Sequence, residues 1–188
     1  MGNVAVFDTR SRIPAEKISY ALNQRLPEDI VVQKSEEVPS DFHPRHCDSR
    51  KTYEYRILNR EFPLPMYRNN TYFCYRKLDL DKMQQAAEYL KGEHDFKSFC
   101  ATAAVVETTV RTIYDLTVNR QEDIITIRVT GHGFLYNMVR IIAGTLLQAG
   151  MGMIEPEEIK TILAAKDRSA AGPTAPAQGL TMIGIEYL

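Results

Sequence analysis

Lys51-Thr52-Tyr53-Glu54-Tyr55-Arg56-Ile57-Leu58 alternates without a break. Tyr53, Tyr55 and Ile57 fall on one face and Thr52, Glu54 and Arg56 on the other, the period of a half-buried β-strand. Downstream, Val110–Val118 and Ile124–Val129 read as two more strands, with Asn119–Asp123 as the hairpin loop between them. Gly131-His132-Gly133 breaks the second strand, and Phe134–Ala149 follows as a strongly apolar helix. Between the first strand and the hairpin, Asp79 caps a helix whose Met83, Ala86, Ala87 and Leu90 form an apolar stripe, and Gly92 closes it. Pro156–Lys166 is a shorter amphipathic helix. Ala170–Gly179 is rich in Ala, Pro and Gly, but the strand Leu180–Leu188 follows it, so it reads as an ordered loop. Asn59–Asn70, with Pro63 and Pro65, is a connection.

Upstream the pattern is thinner. Val4–Asp8 and Ile30–Gln33 read as short strands on either side of a helix over Ala15–Arg25, which Pro14 introduces and Leu26-Pro27 breaks. Glu36–Pro44 is a loop. The element order is β-α-β, then β-α-β-β-α-α-β, which predicts an α+β fold with a largely antiparallel sheet flanked by helices. The predicted boundary separates residues 1–45 from residues 46–188. Two strands are too few for an independent sheet, so the first part reads as an incomplete domain, with an exposed apolar edge where a further strand would pair.

At 188 residues, 44% hydrophobic and 25% charged, the chain excludes disorder, collagen-like structure and a disulfide miniprotein. Its longest apolar run is far short of a membrane span. Met1 to Arg10 lacks the basic start and apolar stretch of a signal peptide, and Val6 stands where a myristoylation signal has Ser or Thr. The net charge of −1 means that any RNA surface is a local patch. Cys47, Cys74 and Cys100 are odd in number and widely spaced, which points to reduced thiols and a cytoplasmic location. His43, His46 and Cys47 form an H-x-x-H-C cluster without the second ligand pair of a structural zinc site, so it reads as a polar loop and no metal is expected.

Two residues stand out. Arg140 lies among Phe134, Leu135, Met138, Val139, Ile141, Ile142, Leu146 and Leu147. A guanidinium in such a helix either needs an anion, a carboxylate or an RNA phosphate, or sits on one wet face with Asn137, Gly144 and Gln148. Tyr53 is either a core residue or a ring that stacks on a base and offers a phenol oxygen. Around it Arg45, Arg50, Lys51, Arg56 and Arg60 outnumber Asp48 and Glu54, which fits either an RNA-contacting strand or a solvated charged face. No Gly-rich phosphate loop, nucleophile elbow or metalloprotease helix is present.

Seven stretches, in order along the chain, resemble the tRNA pseudouridine synthase A family. They are Gly2–Thr9, Asp41-Phe42-His43-Pro44-Arg45, Arg50–Ile57, His94–Phe99, Thr109–Ile113, Gly133–Arg140, and Asp167-Arg168 with Ala171–Leu180. The resemblance implies an isomerase that converts uridine to pseudouridine at positions 38 to 40 of the tRNA anticodon arm, as a homodimer with no cofactor. It implies an Asp nucleophile, with Tyr53 packing on the target base and taking its C5 proton, Arg140 pairing with that Asp, and Leu180 lining the pocket. The family's nucleophile sits in a Gly-Arg-Thr-Asp-Ala-Gly-Val-His motif just ahead of the stretch matching Gly2–Thr9, and these residues do not contain it. The expectation is therefore the C-terminal part of a synthase, inactive alone. The alternatives are a non-catalytic RNA-binding module, or an interaction subunit completed by another chain.

Overall fold

The computed structural model describes residues 2–44, 46–101 and 106–188. The chain divides into two compact units, Val4–Cys47 and a larger one over Asp48–Leu188.

The larger unit is an α+β domain. The strand predicted over Lys51–Leu58 is β1 (Ser49–Asn59), and it carries neighbours on both edges. β2 (Tyr72–Cys74) runs parallel to its last three residues. β3 (Gly92–Asp95), β4 (Val110–Gln121), β5 (Ile124–Gly131) and β6 (Leu180–Tyr187) complete a six-stranded sheet. The order is β2-β1-β5-β4-β3, with β6 alongside the first half of β1; every pairing except β1 with β2 is antiparallel. β2 and β3 escape a periodicity reading because one is three residues long and the other, Gly-Glu-His-Asp, has no apolar alternation.

After α1 (Ile18–Asn23) of the smaller unit, the helices of this unit are α2 (Leu80–Glu88), α3 (Met138–Gly150) and α4 (Glu158–Ala165). Asp79 caps α2 as its position suggests, accepting from the Lys82 N–H. Met83, Ala86 and Ala87 of α2 join Ile141, Ile142 and Leu146 of α3 in one core with Tyr55, Ile57, Ile125, Ile127, Val129, Leu116 and Val118 of the sheet. α3 begins four residues later than its apolar run. Asn137 is left-handed (φ 60°), and the Tyr136 carbonyl that a longer helix would use accepts instead from the Ala101 N–H at 3.1 Å. The β4–β5 hairpin is also tighter than its sequence suggests: Gln121 pairs with Ile124, and Glu122 takes the positive φ (52°) that a two-residue turn demands.

The predicted loop over 170–179 is ordered, and it lies directly on α3. The Ala175 N–H donates to the Arg140 carbonyl (3.1 Å), the Gly172 N–H donates to Thr145 Oγ1 (3.0 Å), and the Thr145 hydroxyl donates to the Ile141 carbonyl (2.8 Å). A methyl group on Gly144 would overlap the Pro173 carbonyl, and one on Gly172 would stand 2.7 Å from Thr145 Cα.

In the smaller unit, Ala15–Lys17 forms a 3-10 turn that continues into α1 (Ile18–Asn23), within the predicted helix. Neither predicted strand forms. Val4–Asp8 has no ladder partner among the described residues, so its backbone groups face solvent. Ile30–Gln33 is instead tied to α1 by side chains: Asn23 donates to the Val32 carbonyl (2.9 Å) and accepts from the Val32 N–H (2.8 Å). Ser35 Oγ likewise accepts from the Ser19 N–H and donates to the Ala15 carbonyl. Val4, Val6, Phe7, Ile30 and Val31 are exposed, and Ser19 is the one buried residue of α1. The unit is held by polar clamps rather than by an apolar core.

If the loop-to-helix contact holds the larger unit together, Gly144→Ala and Gly172→Ala each lower unfolding stability by about 1–3 kcal/mol in urea denaturation. Gly184→Ala, where a methyl group meets nothing within 4 Å, stays within about 0.5 kcal/mol of the parent.

Candidate functional site

Tyr53, Arg140 and Leu180 sit in one circuit of contacts, although they are far apart in sequence. The Tyr53 ring stands edge-on to Phe134, with centroids 5.3 Å apart and planes at 88°. Phe134 leads through the turn at Asn137 into α3, where Arg140 is half-buried. Arg140 Nε donates to the Ala175 carbonyl (2.6 Å), and its Nη1 donates to Asn137 Oδ1 (3.1 Å). The next carbonyl of the same loop, Pro176, accepts from the Tyr55 hydroxyl at 2.8 Å. The loop then enters β6 at Leu180, which stands opposite Tyr55, while Met182 stands opposite Tyr53.

Arg140 is therefore neither isolated in an apolar helix nor on a wet face. The stripe Asn137, Arg140, Gly144 and Gln148 is where the 171–179 loop docks, with Gly144 buried beneath Pro173. Both acceptors that hold the guanidinium are neutral, and among the described residues of its unit Arg140 forms no ion pair. Its charge is fixed in direction and not cancelled.

Alternation places Tyr53 and Tyr55 on one face, but the structure separates them. Tyr55 is fully buried, its hydroxyl is bonded, and Gly179 packs so close that a methyl there would lie 2.7 Å from its ring. Burial, and less strongly the neighbouring Tyr72, raise the Tyr55 phenol far above its ordinary value, against the opposing pull of Arg140. Tyr53 is half-buried, and its hydroxyl makes no hydrogen bond among the described residues. Burial also raises the Tyr53 phenol above 10.0, so it carries its proton at neutral pH.

The basic residues around Tyr53 do not form one patch. Lys51 shares the face of Tyr53, whereas Arg50 and Arg56 point to the opposite face by the strand alternation. There Glu54 pairs with Arg128 (3.2 Å), Arg50 stands 5.1 Å over the Tyr114 ring, and Glu186 faces Arg50 across β6. Arg60 pairs with Asp123 at 3.1 Å. Arg45 lies outside the described residues. The His43 and His46 rings pack edge to face at 4.3 Å. Among the described residues no group of three His, Cys, Asp or Glu is placed to hold a metal ion, and no helix is long and apolar enough to cross a membrane.

Three further residues belong to this end of the domain and were not singled out by pattern. Phe134 supports the Tyr53 ring. Asn137 supports the Arg140 guanidinium. Arg111 lies beside Gly133, its Nη1 donating to the Thr108 and Val110 carbonyls. The available signal was Gly131-His132-Gly133, which lets the chain turn closely past β4.

A family profile described as tRNA pseudouridine synthase matches residues 86–187. A protein named tRNA pseudouridine synthase A from Thermoanaerobacter sp. (strain X514) is 50% identical over 184 residues, covering 98% of this chain and 75% of its own length. Proteins of the same name from Acetivibrio thermocellus (46% identical, 100% of this chain and 77% of its own) and Bacillus subtilis strain 168 (47%, 99% and 75%) are similar over the same extent.

Removing the Tyr55 hydroxyl (Tyr55→Phe) lowers stability at neutral pH by about 1 kcal/mol, the worth of one buried hydrogen bond. Because folding raises the Tyr55 pKa, the native state's advantage is complete below the ordinary phenol value of 10.0 and is lost as pH rises beyond it. Denaturant titrations of the two proteins therefore converge above that pH, and a constant gap between them is the contrary result.

Proposed function

The chain belongs to the tRNA pseudouridine synthase A family, a family of isomerases, and from that premise we propose that it forms the base-handling side of a site that converts uridine to pseudouridine at positions 38 to 40 of the tRNA anticodon arm. The observation that carries this reading is Arg140, a half-buried cation held by two neutral acceptors and left without a counter-charge in its unit. It is the chemistry required opposite an Asp nucleophile.

In the proposed reaction the Asp carboxylate attacks the sugar carbon and the base leaves as its anion, rotates, and attacks that carbon through C5, displacing the Asp; the C5 proton is then removed. Tyr53 stacks on the base and relays that proton, its phenol oxygen accepting it as its own hydroxyl proton passes to water; Leu180 lines the pocket; Arg140 pairs with the attacking carboxylate. The half-buried ring with a free hydroxyl supports the role of Tyr53, and the position of Leu180 opposite Tyr55, where the docked loop enters β6, supports its lining role. Lys51, on the Tyr53 face, is the basic residue of β1 best set to meet RNA here, while Arg50 and Arg56 contact the backbone from the other side of the strand. The proposed setting is cytoplasmic, with tRNA as partner and two copies of the protein in the working unit. The exposed Phe62, Met66 and Tyr75 support a protein contact.

These 188 residues contain no Gly-Arg-Thr-Asp sequence, which supports the reading that they do not catalyse unaided. In the assay, tRNA carrying tritium at uridine C5 is incubated with two proteins. The first is the chain alone, and the second is the chain joined to a segment that carries the Gly-Arg-Thr-Asp-Ala-Gly-Val-His motif ahead of Gly2. The joined protein releases tritium and the chain alone does not. Arg140→Ala and Tyr53→Phe each slow release by about a hundredfold or more. A joined, folded protein that releases none overturns the proposal. Anticodon stem-loop binding by the chain alone, weakening with salt and with Lys51→Ala more than with Arg56→Ala, checks the RNA face.

A further inference from the structure

Asn137 departs from two local rules at once. A helix-capping residue normally adopts an extended backbone and turns its side-chain oxygen onto the N–H groups of the first turn. Asn137 precedes α3 in the left-handed region instead (φ 60°, ψ 9°), and its side chain makes no cap hydrogen bond. Left-handed backbone costs an L-residue free energy, though less for Asn than for most. The forgone cap costs a comparable amount.

The side chain is used elsewhere. The Asn137 backbone carbonyl still accepts from the Ile141 N–H (3.0 Å), so α3 starts normally. The amide oxygen accepts from Arg140 Nη1 at 3.1 Å. A guanidinium only donates, so the amide must present its carbonyl end. The two positions are at i and i+3, about one helical turn, and the left-handed backbone sets Asn137 at the edge where the guanidinium emerges. Ala175 holds the opposite edge through Nε (2.6 Å). With both edges fixed by neutral groups, the fork has one direction and a full charge.

We propose that Asn137 is a positioning residue, acting through Arg140: it gives up its cap to aim the guanidinium without neutralising it. This inference rests on the reading of Arg140 as the cation that meets the reacting anion. A carboxylate at the same place would hold the fork equally well but would itself be the counter-ion, so a neutral acceptor is the functional requirement.

Two substitutions separate aim from charge. Asn137→Gly keeps the backbone conformation without strain and removes the acceptor. Asn137→Asp keeps the acceptor and cancels the charge. In the chain labelled with 15N-arginine, the Arg140 Nη1 protons are immobilised in the parent and in Asn137→Asp, and rotate freely in Asn137→Gly. In the joined protein described above, Asn137→Gly lowers kcat for tritium release by about tenfold with KM for tRNA unchanged. Asn137→Asp lowers kcat further despite its restored hydrogen bond. A residue needed only for folding would move neither the resonance nor kcat selectively. The inference is overturned if Asn137→Gly leaves Nη1 immobile or kcat at the parent value, or if Asn137→Asp is as active as the parent. If the unsubstituted joined protein is inactive, the catalytic reading fails, while the Nη1 measurement still decides whether Asn137 sets the guanidinium.

Discussion

The larger unit depends on a loop being laid flat against a helix. Residues 171–179 touch α3 closely enough that two glycines, Gly144 and Gly172, are needed at the contact, because any side chain there would strike backbone. The approach lets the Ala175 N–H and the Arg140 carbonyl bond directly. It also brings two successive loop carbonyls to two different partners, Ala175 to the Arg140 guanidinium and Pro176 to the Tyr55 hydroxyl. A segment rich in Ala, Pro and Gly has little side-chain surface to bury. Its order comes from backbone polar groups that find partners on α3 and β1.

That arrangement explains why a charged residue can occupy an otherwise apolar helix. Arg140 is surrounded in sequence by residues that are buried, yet its own side chain emerges along the groove the loop covers. Its Nε and Nη1 donors are met by carbonyl oxygens, so part of the burial cost is offset without a carboxylate. An internal salt bridge would have stabilised the helix equally well and used up the charge. The fold keeps the geometry of a paired guanidinium while leaving its charge available.

Much of the larger unit could be read from sequence because its strands and helices bury one face each. β1, β4, β5, β6 and α2 follow from alternation, helical spacing and the Asp79 cap. The failures have a common cause: each depended on a partner that sequence spacing does not reveal. Val4–Asp8 and Ile30–Gln33 have strand-like composition, but a strand exists only against a neighbour, and the Asn23 side chain takes the backbone groups of Val32. β2 exists because three residues find the end of β1. α3 starts late because Ala101 claims the Tyr136 carbonyl. At the site, pattern alone marked Tyr53 and Arg140 as unusual; the family resemblance supplied their roles, and Leu180 with them. Pattern was blind to Asn137, whose signal is a backbone angle, and it could not rank Tyr53 above Tyr55, since both satisfy the same alternation.

The distribution of charge bears on how a chain of net charge −1 meets a polyanion. On the far face of the sheet Glu54 holds Arg128 and Glu186 stands across from Arg50, while Arg56 forms no ion pair among the described residues of the unit. On the near side Lys51, Arg111 and Arg140 have no carboxylate partner among the ion pairs of the unit. In the proposed reading the Glu54–Arg128 pair weakens the far face's attraction for RNA relative to the near side. Attraction falls off over about 8–10 Å at physiological salt, so only the local balance of charge matters to an approaching phosphate. Neutralising a cation on one face is then as effective as adding one to the other.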